Sequence, residues 1–351
     1  MVDVSDMQPP IADVNSGRPA ATSLLTARQQ IHFYSDVEWE EFIREWVTTL
    51  PEGYALIKRI GGAGDMGADV AAFKTNQGFS GAWDCFQCKH YGRAIKWSDL
   101  LPELVKVYVH VSQGDFVMPD TYRILAPQGV TGPLDRILSS PALMKAKFLE
   151  DAPSKMAGLP MEIREAVLQA ASTDDFARFD STPLDDIIDA HRSTPYHSLR
   201  FGVPLPTRQP REPLPDEVGA SETRYVEQLA DVYEERWPGI ERSAIATDDR
   251  SRAHFVRQRF RFFEAESLRA YAREGVPPGT FERFQDAIHS GVVDMAEQDH
   301  DTGWGRMNSV LSLAGQLNLQ AYALVAVAEQ EDLKGVCHQL ANEDRLRWSS
   351  Q

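Results

Sequence analysis

Apolar residues first recur at helical spacing in Trp39, Phe42, Ile43, Trp46 and Val47, which predicts an amphipathic helix with Asp36 as its N-cap. Pro51 and Gly53 end it. The pattern then shortens to strand length. Tyr54–Ile60, Ala68–Thr75 and Trp83–Tyr91 read as three strands, with Gly61-Gly62-Ala63-Gly64 and Gly78-Phe79-Ser80-Gly81 as the turns between them. Ser98 caps a predicted helix from Asp99 to about Val111, and Tyr122–Ala126 reads as a fourth strand that closes the unit. The order α-β-β-β-α-β predicts a mixed α/β layer.

Beyond it, residues 133–200 read as mostly helical, with apolar spacing in LDRILSSPALMKAKFL and IREAVLQAA. Residues 203–217 carry five prolines and can hold neither a helix nor a central strand. From Ser221 the helical period returns over roughly 221–237, 248–274, 278–299, 303–330 and 331–344, with Pro277, Pro278 and Gly303 marking boundaries. Residues 1–24 lack periodicity and read as a flexible tail. No internal repeat of fixed period is visible.

Composition narrows the class. The 351 residues are about right for two domains plus connections. Lys and Arg number 36 against 52 Asp and Glu, a net charge of −16, which argues against a constitutive nucleic-acid coat protein. The acid is concentrated late: residues 1–150 sum to −4 and residues 151–351 to −12. Between Lys58 and Lys96 the sign reverses to +3. No apolar run approaches the roughly 20 residues of a membrane span, and the N-terminus lacks a secretory pattern. Three cysteines are too few for a disulfide framework, so a reducing cytoplasm is expected.

The chemistry concentrates in Gly61-Gly62-Ala63-Gly64-Asp65-Met66-Gly67-Ala68-Asp69 and the following Gln87-Cys88-Lys89. Side chains alternate on a strand, so Gln87 and Lys89 share a face. Asp69 opens the neighbouring antiparallel strand and can pair beside them. An Asp, the Cys88 backbone carbonyl and waters suit a hard divalent cation. A lysine beside them can orient a water and offset phosphate charge. Glu40, on the preceding helix, can reach the same sheet, with Glu41 as the nearest competitor.

This pattern resembles the PD-(D/E)XK restriction-endonuclease-like fold in its Mrr-like branch, whose motif runs Gly-x-Gly-Asp-x-Gly-x-Asp and then Gln-x-Lys after a helical Glu. Gly62, Gly64, Asp65, Gly67, Asp69, Gln87 and Lys89 match in order over about residues 28–130. The resemblance implies that Asp69 is the principal metal ligand, Gln87 replaces the usual acid, Lys89 is the catalytic lysine, Glu40 is the helix carboxylate and Asp65 is a supporting loop residue. It implies Mg2+, or Mn2+ in its place. Lys58, Arg93 and Lys96 of the basic stretch become candidate DNA contacts. HRSTPYHSLRFG (191–202) and FFEAESLRAYAREGVPPGTFERFQDAIHSGV (262–292) extend the resemblance to nuclease subunits of bacterial ABC three-component defence systems, the Lamassu type among them. That implies an SMC-like ATPase partner docked through the helical C-terminal domain, and homo-oligomerisation on activation.

Other readings compete. Gly/Asp clusters are ordinary turn chemistry. Cys85 and Cys88 form a C-x-x-C, but positions three apart on a strand face opposite sides and do not chelate together. No Gly-Lys-Ser/Thr follows Gly61-x-x-Gly64, so a P-loop is excluded. His90, His191 and His197 have no Asp or Ser at informative spacing for a hydrolase triad. Five arginines with no acid run from Arg250 to Arg261; they either track phosphates or form a helix face paired with acid-rich neighbours such as Glu264 and Glu266. Phe255, Phe262 and Phe263 read as core.

The expected organisation is a tail (1–24), a PD-(D/E)XK nuclease domain (25–135), a helical extension (136–202), a Pro-rich linker (203–219) and a helical partner-binding or oligomerisation domain (220–351). The expected activity is Mg2+-dependent hydrolysis of DNA phosphodiesters in an anti-phage complex, with no membrane. The alternatives are a non-cleaving nucleic-acid sensor or scaffold subunit, and a nuclease directed at RNA.

Overall fold

The computed structural model describes residues 25–60 and 66–349. The expected tail of residues 1–24 and the loop carrying Asp65 lie outside the described residues. Two compact units are present, 25–197 and 198–349.

The first unit is a five-stranded mixed sheet between helices. A short α1 (Ala27–Ile31) leads into α2 (Asp36–Val47). The N-cap of α2 is Ser35, one residue before the expected Asp36, because Ser35-x-x-Glu38 forms a capping box. The Glu38 carboxylate accepts from the Ser35 amide at 2.7 Å. Strands β1 (Leu56–Arg59), β2 (Val70–Phe73) and β3 (Trp83–Cys88) pair antiparallel in that order. Helix α3 (Trp97–Gln113) then crosses over to β4 (Thr121–Leu125), which lies parallel to β3. The helix starts at Trp97 rather than after a Ser98 cap: Asp99 accepts from the Lys96 amide at 2.9 Å and closes the first turn.

The segment expected as a helical extension does more than extend. After α4 (Gly132–Leu138), α5 (Pro141–Lys155) and α6 (Met161–Thr173), the chain forms β5 (Phe179–Ser181), which pairs parallel to β4. The fourth strand therefore does not close the sheet; the order is β1-β2-β3-β4-β5. Three residues with one apolar position carry no strand pattern. Pairing with β4 makes β5 a strand, and Phe179 packs on Tyr122 with ring centroids 5.4 Å apart. Helix α7 (Leu184–His191) returns against α2, and α8 (His197–Phe201) spans the boundary to the second unit.

Each face of the sheet is covered, which explains why β2 and β3 are buried at every position. Trp46 of α2 meets Phe86 edge-on from one side. On the other, Leu100, Leu104, Val107 and Tyr108 of α3 join Trp83, Cys85, Tyr122 and Ile124 in one core with α5 and α6.

The second unit is helical: α9 (Thr223–Arg236), α10 (Arg252–Gly275), α11 (Thr280–Glu297), α12 (Gly303–Ala314) and α13 (Gln330–Asn342). The single helix expected over 303–330 is broken. It stops at Gly315, and only a 3-10 turn, Ala323–Ala326, interrupts the stretch before α13. Helices α10 and α13 meet at Gly335, where a Cβ would lie 1.9 Å from the Arg261 carbonyl oxygen, so only glycine permits this approach. Phe255 and Phe262 are buried here, with Phe263 packed beside them, as expected.

The Pro-rich stretch has no regular structure, yet it is not a free spacer. Arg208 Nη1 grips both oxygens of buried Asp332 at 2.7 and 2.8 Å, and Arg211 donates to Glu264 at 2.7 Å. Tyr271 donates to the Pro206 carbonyl at 2.8 Å. A buried polar chain runs through the same unit. Tyr233 Oη meets His254 Nδ1 at 2.8 Å, Gln258 lies between the two imidazoles, and His338 Nε2 meets Gln258 Oε1 at 3.0 Å. Among the described residues, no helix is long and apolar enough to cross a membrane.

Two outcomes follow for this unit. Arg208→Ala strands the Asp332 carboxylate in the interior and is expected to cost about 3 kcal/mol in urea unfolding followed by tryptophan fluorescence. Burial pushes His338 down to about 3 and His254 to about 4, so both are neutral when folded. The unfolded chain takes up their protons below about pH 6.5, so stability is intact above that pH and falls as the pH drops toward 4. The urea midpoint measured from pH 7.5 to 4.5 is expected to fall, less steeply in His338→Gln.

Candidate active site

The antiparallel register sets Val70 opposite Phe86, so Asp69, just before β2, arrives opposite Gln87. Its Oδ2 accepts from Gln87 Nε2 and, at 2.7 Å, from the Cys88 backbone amide. Gln87 is fully buried, and its Oε1 lies 3.0 Å from the Tyr122 hydroxyl, which is also 3.1 Å from the Gly67 carbonyl. An amide suits this place because it donates to Asp69 and accepts from Tyr122. A glutamate would set two carboxylates against each other.

Gly67 has φ +76°, and a Cβ there would lie 2.7 Å from the Glu103 backbone oxygen and 3.0 Å from Val107. Glycine therefore lets the turn before Asp69 press against α3. That approach brings in a residue absent from the expected set. Lys89, held after the strand by its amide on the Leu125 carbonyl at 2.9 Å, extends its Nζ to Glu103 Oε1 at 2.9 Å. The second Glu103 oxygen accepts from Lys106 at 2.9 Å. Burial works to lower the Lys89 pKa, but the Glu103 hydrogen bond and the charges of Glu103 and Asp69 outweigh it and hold it above the usual lysine value. The signal for Glu103 was present in the sequence as a lone acid inside Leu100-Leu101-Pro102-Glu103-Leu104-Val105.

Glu40 reaches the site from α2. Its carboxyl is raised, chiefly by burial, against the lowering effects of Arg59 and Lys89. Arg59 Nη1 stands 3.5 Å from Glu40 Oε2, while Glu41 pairs with Arg44 at 2.5 Å. Asp69, Gln87, Cys88 and Lys89 lie together at one end of β2 and β3, and Glu40 on α2 is near enough for its charge to act on Cys88 and Lys89.

The donor chemistry fits a hard divalent cation: Asp69, Glu40 and the Cys88 carbonyl offer only oxygens. Among the described residues, no group of three or more His, Cys, Asp or Glu is arranged to hold a metal ion. Cys85 and Cys88 are buried free thiols, and burial, then the Asp69 charge, pushes both well above the ordinary thiol value.

Of the candidate DNA contacts, Arg93 and the Lys96 amide share Asp99. Lys58 is mid-β1, opposite Ala71, and Lys96 is exposed at the start of α3. Arg93 makes two hydrogen bonds to Asp99, at 2.6 and 2.9 Å. Three arginines of the run pair with acids, though with others than Glu264 and Glu266. Arg250 takes Asp248, Arg259 takes buried Glu222 at 2.6 Å, and Arg261 takes Glu331 at 2.6 Å. Glu264 goes to Arg208 and Arg211, while Glu266 stands 3.4 Å from Arg269 on its own helix. Arg250 stands before α10, while the helix turns Arg259 and Arg261 toward different parts of the chain. His90 meets the Ile31 carbonyl at 2.8 Å. His191 joins Glu45 at 3.0 Å and His197 at 3.1 Å in a buried cluster that the spacing did not reveal.

Residues 222–348 match the family described as C-terminal domain 6 of the ABC-three component (ABC-3C) systems. The match covers α9 to α13 and supports membership of such a multi-component system, with protein partners and a role in antiviral defence. No curated protein and no solved structure matches the chain.

Gln87→Glu is expected to lower stability by about 3 kcal/mol at pH 7, because it buries a second carboxylate against Asp69. Thermal unfolding of the metal-free chain checks this. The deficit is expected to shrink as the pH falls toward 5, where the pair shares a proton.

Proposed function

We propose that the chain is a metal-dependent endonuclease of the PD-(D/E)XK type that hydrolyses DNA phosphodiesters as the effector of an ABC-3C anti-phage system. One observation carries the reading: Asp69 is bonded to both the Gln87 side chain and the Cys88 amide, with Lys89 one residue further on. These are the residues that the Gly-x-Gly-Asp-x-Gly-x-Asp and Gln-x-Lys resemblance assigns to the site.

The residues divide the work. Asp69, Glu40 and the Cys88 carbonyl would hold Mg2+ or Mn2+, which supplies charge neutralisation at the phosphate and a more acidic water. Gln87 locks the Asp69 carboxylate in one orientation. The Lys89 ammonium, kept charged by Glu103 and Asp69, is available to orient the attacking water or to offset the negative charge that develops on the phosphate. The acidic second half repels bulk DNA and favours a protein partner, for which an SMC-like ATPase docked on α9 to α13 is the candidate. Productive DNA binding then requires the metal and an assembled complex.

Cleavage of supercoiled plasmid, titrated with Mg2+ and with labelled RNA as competitor, tests the proposal. Wild type with its partners is expected to cut, and EDTA to abolish cutting. Asp69→Ala is expected to be inactive and Lys89→Ala slower by about 100- to 1,000-fold, both with native circular dichroism. Full activity in Lys89→Ala overturns the assignment.

A further inference from the structure

We propose that Glu103 is a positioning residue for Lys89: it draws the ammonium toward α3 and so keeps it off the Asp69 and Glu40 carboxylates that the metal needs. The inference rests on the nuclease reading above. Three observations carry it.

The first is placement. Glu103 is buried, and the other buried residues of α3 are Leu100, Leu101, Leu104, Val105, Val107 and Tyr108. Packing alone asks for an apolar side chain there, since a carboxylate pays for its desolvation. The second is the pair itself. Lys89 Nζ lies 2.9 Å from Glu103 Oε1, and both side chains are largely shielded from solvent. Gly67 permits α3 to come this close, because any larger residue there would collide with the Glu103 backbone. The third is competition. Lys89 feels the charge of Asp69, and Glu40 feels the charge of Lys89. A lysine ammonium is a point charge on a flexible stem, and without Glu103 it would settle on these two carboxylates. It would then occupy the place of the divalent cation.

The test reads metal binding directly. Mn2+ is titrated into the full-length chain and the free ion followed by electron paramagnetic resonance, with plasmid kcat and KM measured in parallel on the chain assembled with its partners. Glu103→Ala is expected to weaken Mn2+ binding by about 10- to 100-fold and to lower kcat with little change in KM. Glu103→Gln, which keeps an oxygen acceptor for Lys89, is expected to recover most of the affinity. Lys106→Met, which removes the other cation on Glu103, is expected to bind Mn2+ like wild type. The deciding variant is Glu103→Ala with Lys89→Ala. Removing the competing ammonium is expected to restore wild-type Mn2+ affinity while cleavage stays lost. Wild-type affinity in Glu103→Ala, or a double variant as weak as Glu103→Ala alone, overturns the role of Glu103. A wild-type chain that binds no Mn2+ and, assembled with its partners, does not cut overturns the nuclease reading instead.

Discussion

The Asp69 carboxylate is buried where β2 begins, and an anion in that position persists only if donors meet it. The Gln87 amide and the Cys88 backbone N–H provide them. Much of the first unit is arranged around this demand. The register of β2 on β3 puts Gln87 opposite Asp69. Tyr122 on β4 orients the Gln87 amide. Gly67 gives the turn its left-handed residue and lets α3 close over it. A shift of the hairpin by one residue would turn Gln87 to the other face and leave Asp69 without its side-chain donor.

A second set of charges surrounds that core, and its pairing is selective. Lys89 goes to Glu103, and Arg59 lies between Glu40 and Glu41, the second of which Arg44 also holds. Of the cations near the candidate metal carboxylates, Lys89 is taken by Glu103, whereas Arg59 stays beside Glu40 itself. Proximity of opposite charges does not by itself make a site; what matters is which partner each cation takes.

The helical unit solves a different problem. It belongs to the half of the chain with twelve more acidic than basic side chains, yet its interior is organised by arginines. Arg208 on Asp332 pins the Pro-rich strap, and Arg259 on Glu222 pins the start of α9. Gly335 allows α10 and α13 to touch backbone to backbone. The surplus acid is left to the surface, where it is solvated, and this is the unit that matches the ABC-3C C-terminal domain.

Local pattern was enough for the α2 stripe, the three hairpin strands, the α3 crossover, the lack of helix or strand through the prolines, and the grouping of Asp69 with Gln87. Each of these depends on residues near one another in the chain, where period and turn chemistry speak directly. What needed the tertiary structure was every feature whose partner lies far off. The strand Phe179–Ser181 exists because β4 offers an edge. Glu103 matters because Gly67 lets α3 close on Lys89. Arg259 and Arg261 of α10 take Glu222 and Glu331 from other parts of the chain rather than Glu264 and Glu266 on their own helix. The sequence by itself determined which residues could do chemistry and which stretches could be helix or strand, because those are local properties of side chains. Only the folded chain decided which charges meet, because a buried ion takes whichever partner the packing of distant elements delivers.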